Sequence, residues 1–333
     1  MSRTTVSFVL NDRPGVQISP ETRARVLAAA RELGYRPHPG ARHLAGGGTR
    51  LIALMLHQEP AQMASDPFLV ETVRGLTGSL STFGYRIVLE GLASNRGAVG
   101  DLIRSQHFDA AVLTGPRFDD ADLDRLAADG YHIVILGSMP DLAVTTVDID
   151  NVAAAKSAVE HLIGLGRKRI ACVTNAPTDY PMARQRRDGY RAALLEAGIS
   201  LDDRLEASAA FDAASGHRAI DTILDRGVAI DAVFATSDVV AVGVIGGLAA
   251  RALRVPQDIA VVGFDDIPIA AYLDPPLTTI RVPAFELGLS AGRILVDLLA
   301  DREVPRRTIL PTALVVRGSS RADGRSSPGG PAP

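Results

Sequence analysis

LIALMLHQEPAQMASDPFLVETVRGLTGSLSTFGYRIVLEG, from Leu51 to Gly91, decides the architecture. LIALML (51–56) is a continuous apolar run of strand length. FLVETVRGLTGSLSTFG (68–84) carries apolar residues at helical spacing, and YRIVLEG (85–91) is extended again. Strand, helix and strand in that order make a βαβ unit, which demands a parallel pairing and a helix on one face of the sheet. The rhythm continues through a helix near 97–106, FDAAVLTG (108–115), DDADLDRLAADG (119–130) and HIVILG (132–137). It restarts after Asp150 with a helix over 151–165 and RIACVT (169–174). A helix over 183–197, a short strand near 205–208, a helix over 214–227, AVFAT (232–236), a helix over 238–252 and IAVVGFDD (259–266) follow. The pattern predicts two similar α/β halves of roughly five strands each. From Pro283 to about Arg317 one helix flanked by extended pieces is long enough to cross back between them.

Two doubly wound halves facing each other leave a cleft, and ligands bind such sheets at the carboxyl ends of their strands. The chain has 333 residues, so two domains are expected at about 150 residues each. Apolar residues make up 47% and charged residues 22%, which excludes a wholly disordered chain. Mean hydropathy is +0.14, and no apolar run reaches membrane-spanning length. MSRTTVSFVLNDRPG lacks the features of a secretion signal, and the single cysteine, Cys172 in IACVT, excludes an internal disulfide framework. A cytoplasmic protein with no membrane contact is expected.

Charge is uneven. Residues 1–50 hold eight arginines against three acids, a net +5; the remainder has 27 basic against 35 acidic side chains, a net −8. A basic head on an acidic body points to a polyanion for the head, against the plainer reading of a solvated arginine-rich helix face. In that head SRTTVSFVLN (2–11) reads as a short helix with Ser2 as N-cap, and Ser19-Pro20-Glu21-Thr22 opens a second helix that stops near Gly34. The tail RADGRSSPGGPAP (321–333) has a disordered composition.

Enzyme motifs are weak. The seven histidines are scattered without HExxH or an i, i+4 pair, so no metal site is expected. There is no P-loop and no GxGxxG, so no nucleotide cofactor is expected. GLSAG (288–292) matches a nucleophile-elbow pattern but lies inside a helical run, which argues against a catalytic Ser290. Asp265-Asp266 ends an apolar strand, where binding of hydroxyls is favoured over catalysis. No catalytic residue is assigned.

Five ordered blocks resemble the LacI/GalR family of bacterial transcription regulators. SRTTVSFVLN and ISPETRARVLAAARELGYRPHPGARHLAGG (18–47) look like the recognition helix, third helix and hinge helix. DNVAAAKSAVEHLIGLGRKRIA (150–171), RQRRDGYRAALLEAGI (184–199), FATSDVVAVGVI (234–245) and IAVVGFDDIPIAAYLDPPLTTIR (259–281) are similar to core blocks in the same order.

The resemblance implies an α/β fold: two doubly wound, periplasmic-binding-protein-like subdomains below a small all-α helix-turn-helix head. It places a partial head at 1–36, a hinge helix and linker at 37–49, and an effector-binding and dimerisation core at 50–318. Within the core, 50–149 plus 284–310 form one subdomain and 150–283 plus 311–318 the other, leaving 319–333 as a disordered tail. It further implies a ligand-responsive repressor of sugar uptake or catabolism genes. Such a protein binds a palindromic operator as a homodimer, or as part of a tetramer, and takes a small sugar-like effector between its lobes. Ser2, Arg3, Thr4, Thr5, Ser7 and Phe8 would face DNA from the recognition helix, Arg3 as a bidentate reader of guanine. Ala41, Arg42 and Leu44 would do so from the hinge helix, with Leu44 wedging into the minor groove. Asp66, Phe68, Leu69, Thr114, Gly115, Arg186, Ser237, Asp238 and Asp265 would hold the effector. Gly137 stands where some family members carry a carboxylate. Asp148, Asp150 and Asn151 would line the cleft or cap the next helix, with capping favoured.

One departure concerns the head. The family begins with a further helix and turn, and Met1 falls where its members have a valine, as if a GTG codon had been read as the start. Poor operator binding by the chain as it stands is expected, with recovery once upstream codons are restored. The alternatives are a soluble sugar-binding sensor that does not touch DNA, favoured by the incomplete head, and an enzyme built on the Asp265-Asp266 pair.

Overall fold

The computed structural model describes residues 2–10, 15–35, 48–58, 60–64, 66–92, 98–105, 107–120, 122–139 and 142–321. In chain order the head holds α1 (Arg3–Leu10) and α2 (Pro20–Glu32). The first half has β1 (Leu51–Leu56), α3 (Pro60–Ala64), α4 (Pro67–Leu80), β2 (Arg86–Gly91), α5 (Ala98–Arg104), β3 (Ala110–Thr114), α6 (Leu123–Ala128), β4 (Ile133–Leu136) and β5 (Thr145–Ile149). Next come α7 (Asn151–Gly164), β6 (Ile170–Thr174), α8 (Pro181–Glu196), β7 (Glu206–Ser208), α9 (Ala213–Asp225), β8 (Ala232–Ala235), α10 (Asp238–Ala250), β9 (Ala260–Asp265) and β10 (Thr278–Arg281). The chain ends with α11 (Ala284–Leu299), β11 (Arg307–Leu310) and β12 (Ala313–Val315).

These strands form two sheets, ordered β11-β5-β4-β3-β1-β2 and β12-β10-β9-β8-β6-β7. Pairing is parallel throughout except at β12, which runs antiparallel to β10. Each sheet therefore has six strands where the pattern predicted about five. Thr145–Ile149 carries Thr and Asp within the run, so it lacks the apolar signature of its neighbours. The other additions are β10, just before the returning segment, and β11 and β12 at its C-terminal end.

The apolar runs are buried on both faces, as parallel strands covered by helices must be. Alternation in β1 sends Ile52, Leu54 and Leu56 to one side, with Leu76, Leu80 and Leu295, and Ala53 and Met55 to the other, with Leu113, Ile135 and Leu126. The first core continues through Val147, Ile149, Ala155, Phe264 and Val282, so apolar packing runs from one lobe to the next across the crossovers. The GLSAG stretch has a packing role here: it lies within α11, where a Cβ on Gly288 would fall on the Thr72 carbonyl and one on Gly292 on the Ser79 hydroxyl. Glycine lets α11 lie directly against α4.

Helix starts follow the sequence. Ser19 accepts from the Thr22 amide, Asp150 from Ala153 and Asp212 from Ser215. Ser2 accepts from the Thr5 amide at 3.1 Å, and Val9 and Val26 are buried where α1 meets α2. One boundary needs correction: Ser319 and Ser320 are not part of a tail. Ser319 is buried, its amide bonds to the Pro276 carbonyl, and its carbonyl accepts from Val261 beside β9. Ser320 bonds to Thr278 and His161.

Candidate functional site

A cleft opens between the two sheets at their carboxyl ends and holds about 1080 Å³, counted out to its open mouth. From the first lobe it is lined by residues at or beyond the ends of β1 (Asp66, Phe68, Leu69), β3 (Thr114, Gly115) and β4 (Gly137, Ser138). From the second lobe come Asn175 and Tyr180 after β6, Phe211 after β7, Ser237 after β8 and Asp265 at the end of β9. Arg186 reaches in from α8.

Eight of the nine expected effector residues thus line one cavity. Asp238 does not. It is fully buried as the first residue of α10, behind the wall, where it accepts from Thr279 Oγ1 at 2.6 Å and from the Ile267 amide at 2.9 Å. The preceding Ser237 faces the cleft because its hydroxyl caps α10 through the Val240 amide. Burial raises the Asp238 carboxyl to about 7.

The floor of the cleft is polar. Arg186 is only 6% exposed; its Nε donates to Asn151 Oδ1 at 2.9 Å and its Nη1 to the Thr236 carbonyl at 2.7 Å. Its guanidinium lies 3.9 Å from the Phe264 ring centroid. Nη1 is 3.8 Å from Asp265 Oδ1, beyond hydrogen-bond range, so the pair attracts without saturating either partner. Burial pushes the Asp265 carboxyl well up, opposed by Arg186, and pulls the Arg186 guanidinium down, opposed by Asp265. Asp265 also holds a φ of 119°, a region L-residues seldom adopt. Such strain concentrates where a side chain must be aimed at a ligand. Asp266 is spent on structure, paired with Arg281 at 2.7 Å and Arg317 at 2.6 Å.

Asp66 caps α4 through the Phe68 and Leu69 amides and accepts from Gln58 Nε2 at 3.0 Å. Gly137 has a φ of 127° with Pro116 packed beside it, so a carboxylate side chain there would be strained. Asp150 caps α7, as expected. Asn151 and Asp148 do not cap it: Asn151 bonds Asp148, and Asp148 lines the cleft, its carboxyl raised to about 6 by burial.

Sequence reasoning missed His57, Ser138, Tyr180 and Phe211. His57 Nε2 meets Asp120 at 2.9 Å at the cleft edge. Tyr180 and Phe211 pack edge to face, with centroids 5.1 Å apart, and add an aromatic wall on the second lobe. The available signal was position: each follows a strand at its carboxyl end. Across the mouth Arg117 meets Asp179 at 3.0 Å, Arg184 lies 4.2 Å from the Phe118 ring centroid, and Gln185 donates to Ser138 Oγ at 3.0 Å.

In the head, Ser2, Thr4, Thr5, Ser7 and Phe8 lie on or at the start of α1, as does the backbone of Arg3. Ala41, Arg42 and Leu44 fall outside the described residues. Among the described residues, no group of three or more His, Cys, Asp or Glu is placed to hold a metal, and no helix is long and apolar enough to cross a membrane.

A two-lobed binding fold with a polar-floored cleft and a short two-helix head defines the class. The periplasmic binding protein-like domain description matches residues 159–320, and that of bacterial regulatory proteins, lacI family, matches residues 1–38. The chain is 36% identical over 327 residues to the HTH-type transcriptional regulator CelR of Thermobifida fusca, covering 96% of this chain and 95% of that one. It is 33% identical to the HTH-type transcriptional repressor CytR of Escherichia coli K12, covering 97% and 94%. Among solved structures it resembles a CelR–cellobiose complex (34% identity, TM-score 0.76, 96% of both chains). It also resembles the Lac repressor dimer bound to operator and the anti-inducer ONPF (26% identity, TM-score 0.82, 97% and 96% covered). The chain belongs to the LacI family of bacterial transcriptional regulators; these relatives are regulators rather than enzymes.

Proposed function

We propose that this protein is a cytoplasmic repressor of sugar uptake or catabolism genes that binds a palindromic operator as a dimer and takes a sugar in its interlobe cleft. The observation that carries the effector class is the cleft itself. Arg186 and Asp265 present a donor fork and a carboxylate, while Phe68, Tyr180 and Phe211 supply aromatic faces. Sugars offer matching features, with hydroxyl edges for hydrogen bonds and C–H faces for stacking. CelR, seen with cellobiose, makes that disaccharide the first ligand to try.

The basic first fifty residues, with Ser2, Thr4 and Thr5 at the start of α1, support the DNA half of the reading. Control of operator binding requires the sugar to favour one lobe arrangement over the other. Isothermal titration with cellobiose, other disaccharides and their monosaccharides tests the effector class. Saturable binding of at least one that is weakened about tenfold or more by Arg186→Ala supports it; heats unchanged by Arg186→Ala, or none with any sugar, oppose it.

A further inference from the structure

The first crossover between the lobes runs from Asp148, on β5, to Asn151, the first residue of α7. Asn151 is 2% exposed, and both ends of its amide are engaged. Its Nδ2 donates to the two Asp148 carboxylate oxygens, each at 3.2 Å. Its Oδ1 accepts from Arg186 Nε at 2.9 Å. Asp148 belongs to β5, which pairs with β4 and β11 in the first sheet, whereas Asn151 and Arg186 ride on helices of the second lobe. A hydrogen bond therefore spans the hinge, and its donor is held by the arginine that faces the cleft.

We propose that Asn151 is a positioning residue that ties the cleft arginine, Arg186, to the interlobe hinge through Asp148, so that the arginine's orientation and the lobe angle change together. This role goes beyond sugar binding, although its use in regulation rests on the cleft being an effector site. The side-chain chemistry is restrictive. An amide accepts with one end and donates with the other, as this junction requires. A carboxylate could accept from Arg186 but would face Asp148 with like charge. A serine hydroxyl is too short to reach both neighbours. Rotation of one lobe about residues 149–150 must lengthen the Asp148–Asn151 contact or drag Asn151, and with it Arg186.

The test uses the full chain with spin labels at Arg125→Cys on α6 and Arg218→Cys on α9, both exposed and on opposite lobes; Cys172 is buried and stays unlabelled. Pulsed electron–electron distances are recorded for this background, for Asn151→Asp, for Asn151→Ser, and for the reciprocal swap Asp148→Asn with Asn151→Asp. Losing a hydrogen bond to a charged group should raise the population of the alternative lobe arrangement about tenfold in either single variant. The swap should restore the narrow distribution, because an amide now donates from the other side of the hinge while Arg186 keeps a carboxylate acceptor. A merely structural residue would lower the melting temperature without this reciprocal rescue. Superimposable distributions for the background and both single variants overturn the proposal. So does a swap that stays as broad as Asn151→Asp while circular dichroism reports a folded chain. If Asn151→Asp does not fold, Asn151→Ser carries the comparison. A parallel titration with cellobiose keeps the two readings apart: absence of sugar binding counts against the effector assignment, while the ligand-free distances still decide the hinge relay.

Discussion

Arg186 and Asp265 face each other across 3.8 Å at the bottom of the cleft, one from the middle of α8, the other from the last residue of β9. They attract, yet stand far enough apart for a ligand hydroxyl to bridge them. Arg186 is buried and the Asp265 side chain is only 9% exposed, so little water has to leave either charge when a ligand bridges them.

Arg186→Ala should weaken sugar binding by about 10–150-fold, the usual range for a lost charge-assisted hydrogen bond. Asp265→Asn should do the same, since the amide turns one acceptor into a donor. Arg186→Lys should fail to rescue, because an ammonium cannot hold Asn151 and the Thr236 carbonyl in one fork. Calorimetry with circular dichroism as the folding control reads all three.

Most of the site was legible because the family's motif positions fall at strand ends, where a doubly wound fold puts its ligands. Arg186 was found within RQRRDGY and Asp265 within GFDD. What was lost lay in loops. Nothing in the local pattern of Asn175–Tyr180 or of Phe211 distinguishes a cleft wall from an ordinary turn, since their proximity comes from sheet order. Asp238 was misplaced by one residue of register at a helix start: Ser237 and Asp238 are adjacent, but the cap turns the first toward the cleft and the second into the core. The role of Asn151 was hidden for the same reason, because its partner Arg186 is 35 residues away.

Asp238 also carries a pH signature. The folded chain keeps this proton to about pH 7, whereas an unfolded aspartate releases it near 3.8. Between those values the native state binds more protons, so stability falls as pH rises across the window and levels off above it. The change is on the order of a few kcal/mol. Asp148, raised to about 6, acts in the same direction. Melting temperatures from pH 4 to 8 should decline in the native chain, and Asp238→Asn should flatten the slope. A decline of equal steepness in the variant would rule Asp238 out as its source.

Helix packing gives a matched pair. Gly288→Ala puts a methyl group against the Thr72 carbonyl and should cost about 1–3 kcal/mol. Gly78→Ala, on α4 with nothing near its Cβ position, should be neutral or gain about 0.5–1 kcal/mol. Urea denaturation of both variants checks the contrast, and equal effects would contradict the close α4–α11 contact.

The mouth contacts predict a smaller effect. Asp179 meets Arg117 at 3.0 Å, and its carbonyl accepts from the Phe118 amide of the opposite lobe. The ion pair is partly exposed and worth at most about 1 kcal/mol, so Asp179→Ala should weaken sugar binding no more than about fivefold. Dissociation rates should rise while association rates stay near those of the unsubstituted protein, as stopped-flow measurements would reveal.

The central claim is that a sugar between the lobes controls the grip of the head on DNA. The direct measurement is fluorescence anisotropy of labelled DNA from upstream of the gene, in low salt, titrated with the chain. It is run with and without a sugar whose binding calorimetry has established. The account predicts specific binding whose dissociation constant moves about tenfold or more with the sugar, the scale of ordinary allosteric coupling. An affinity that is identical with the cleft empty and saturated, or no DNA binding with or without the sugar, would contradict it.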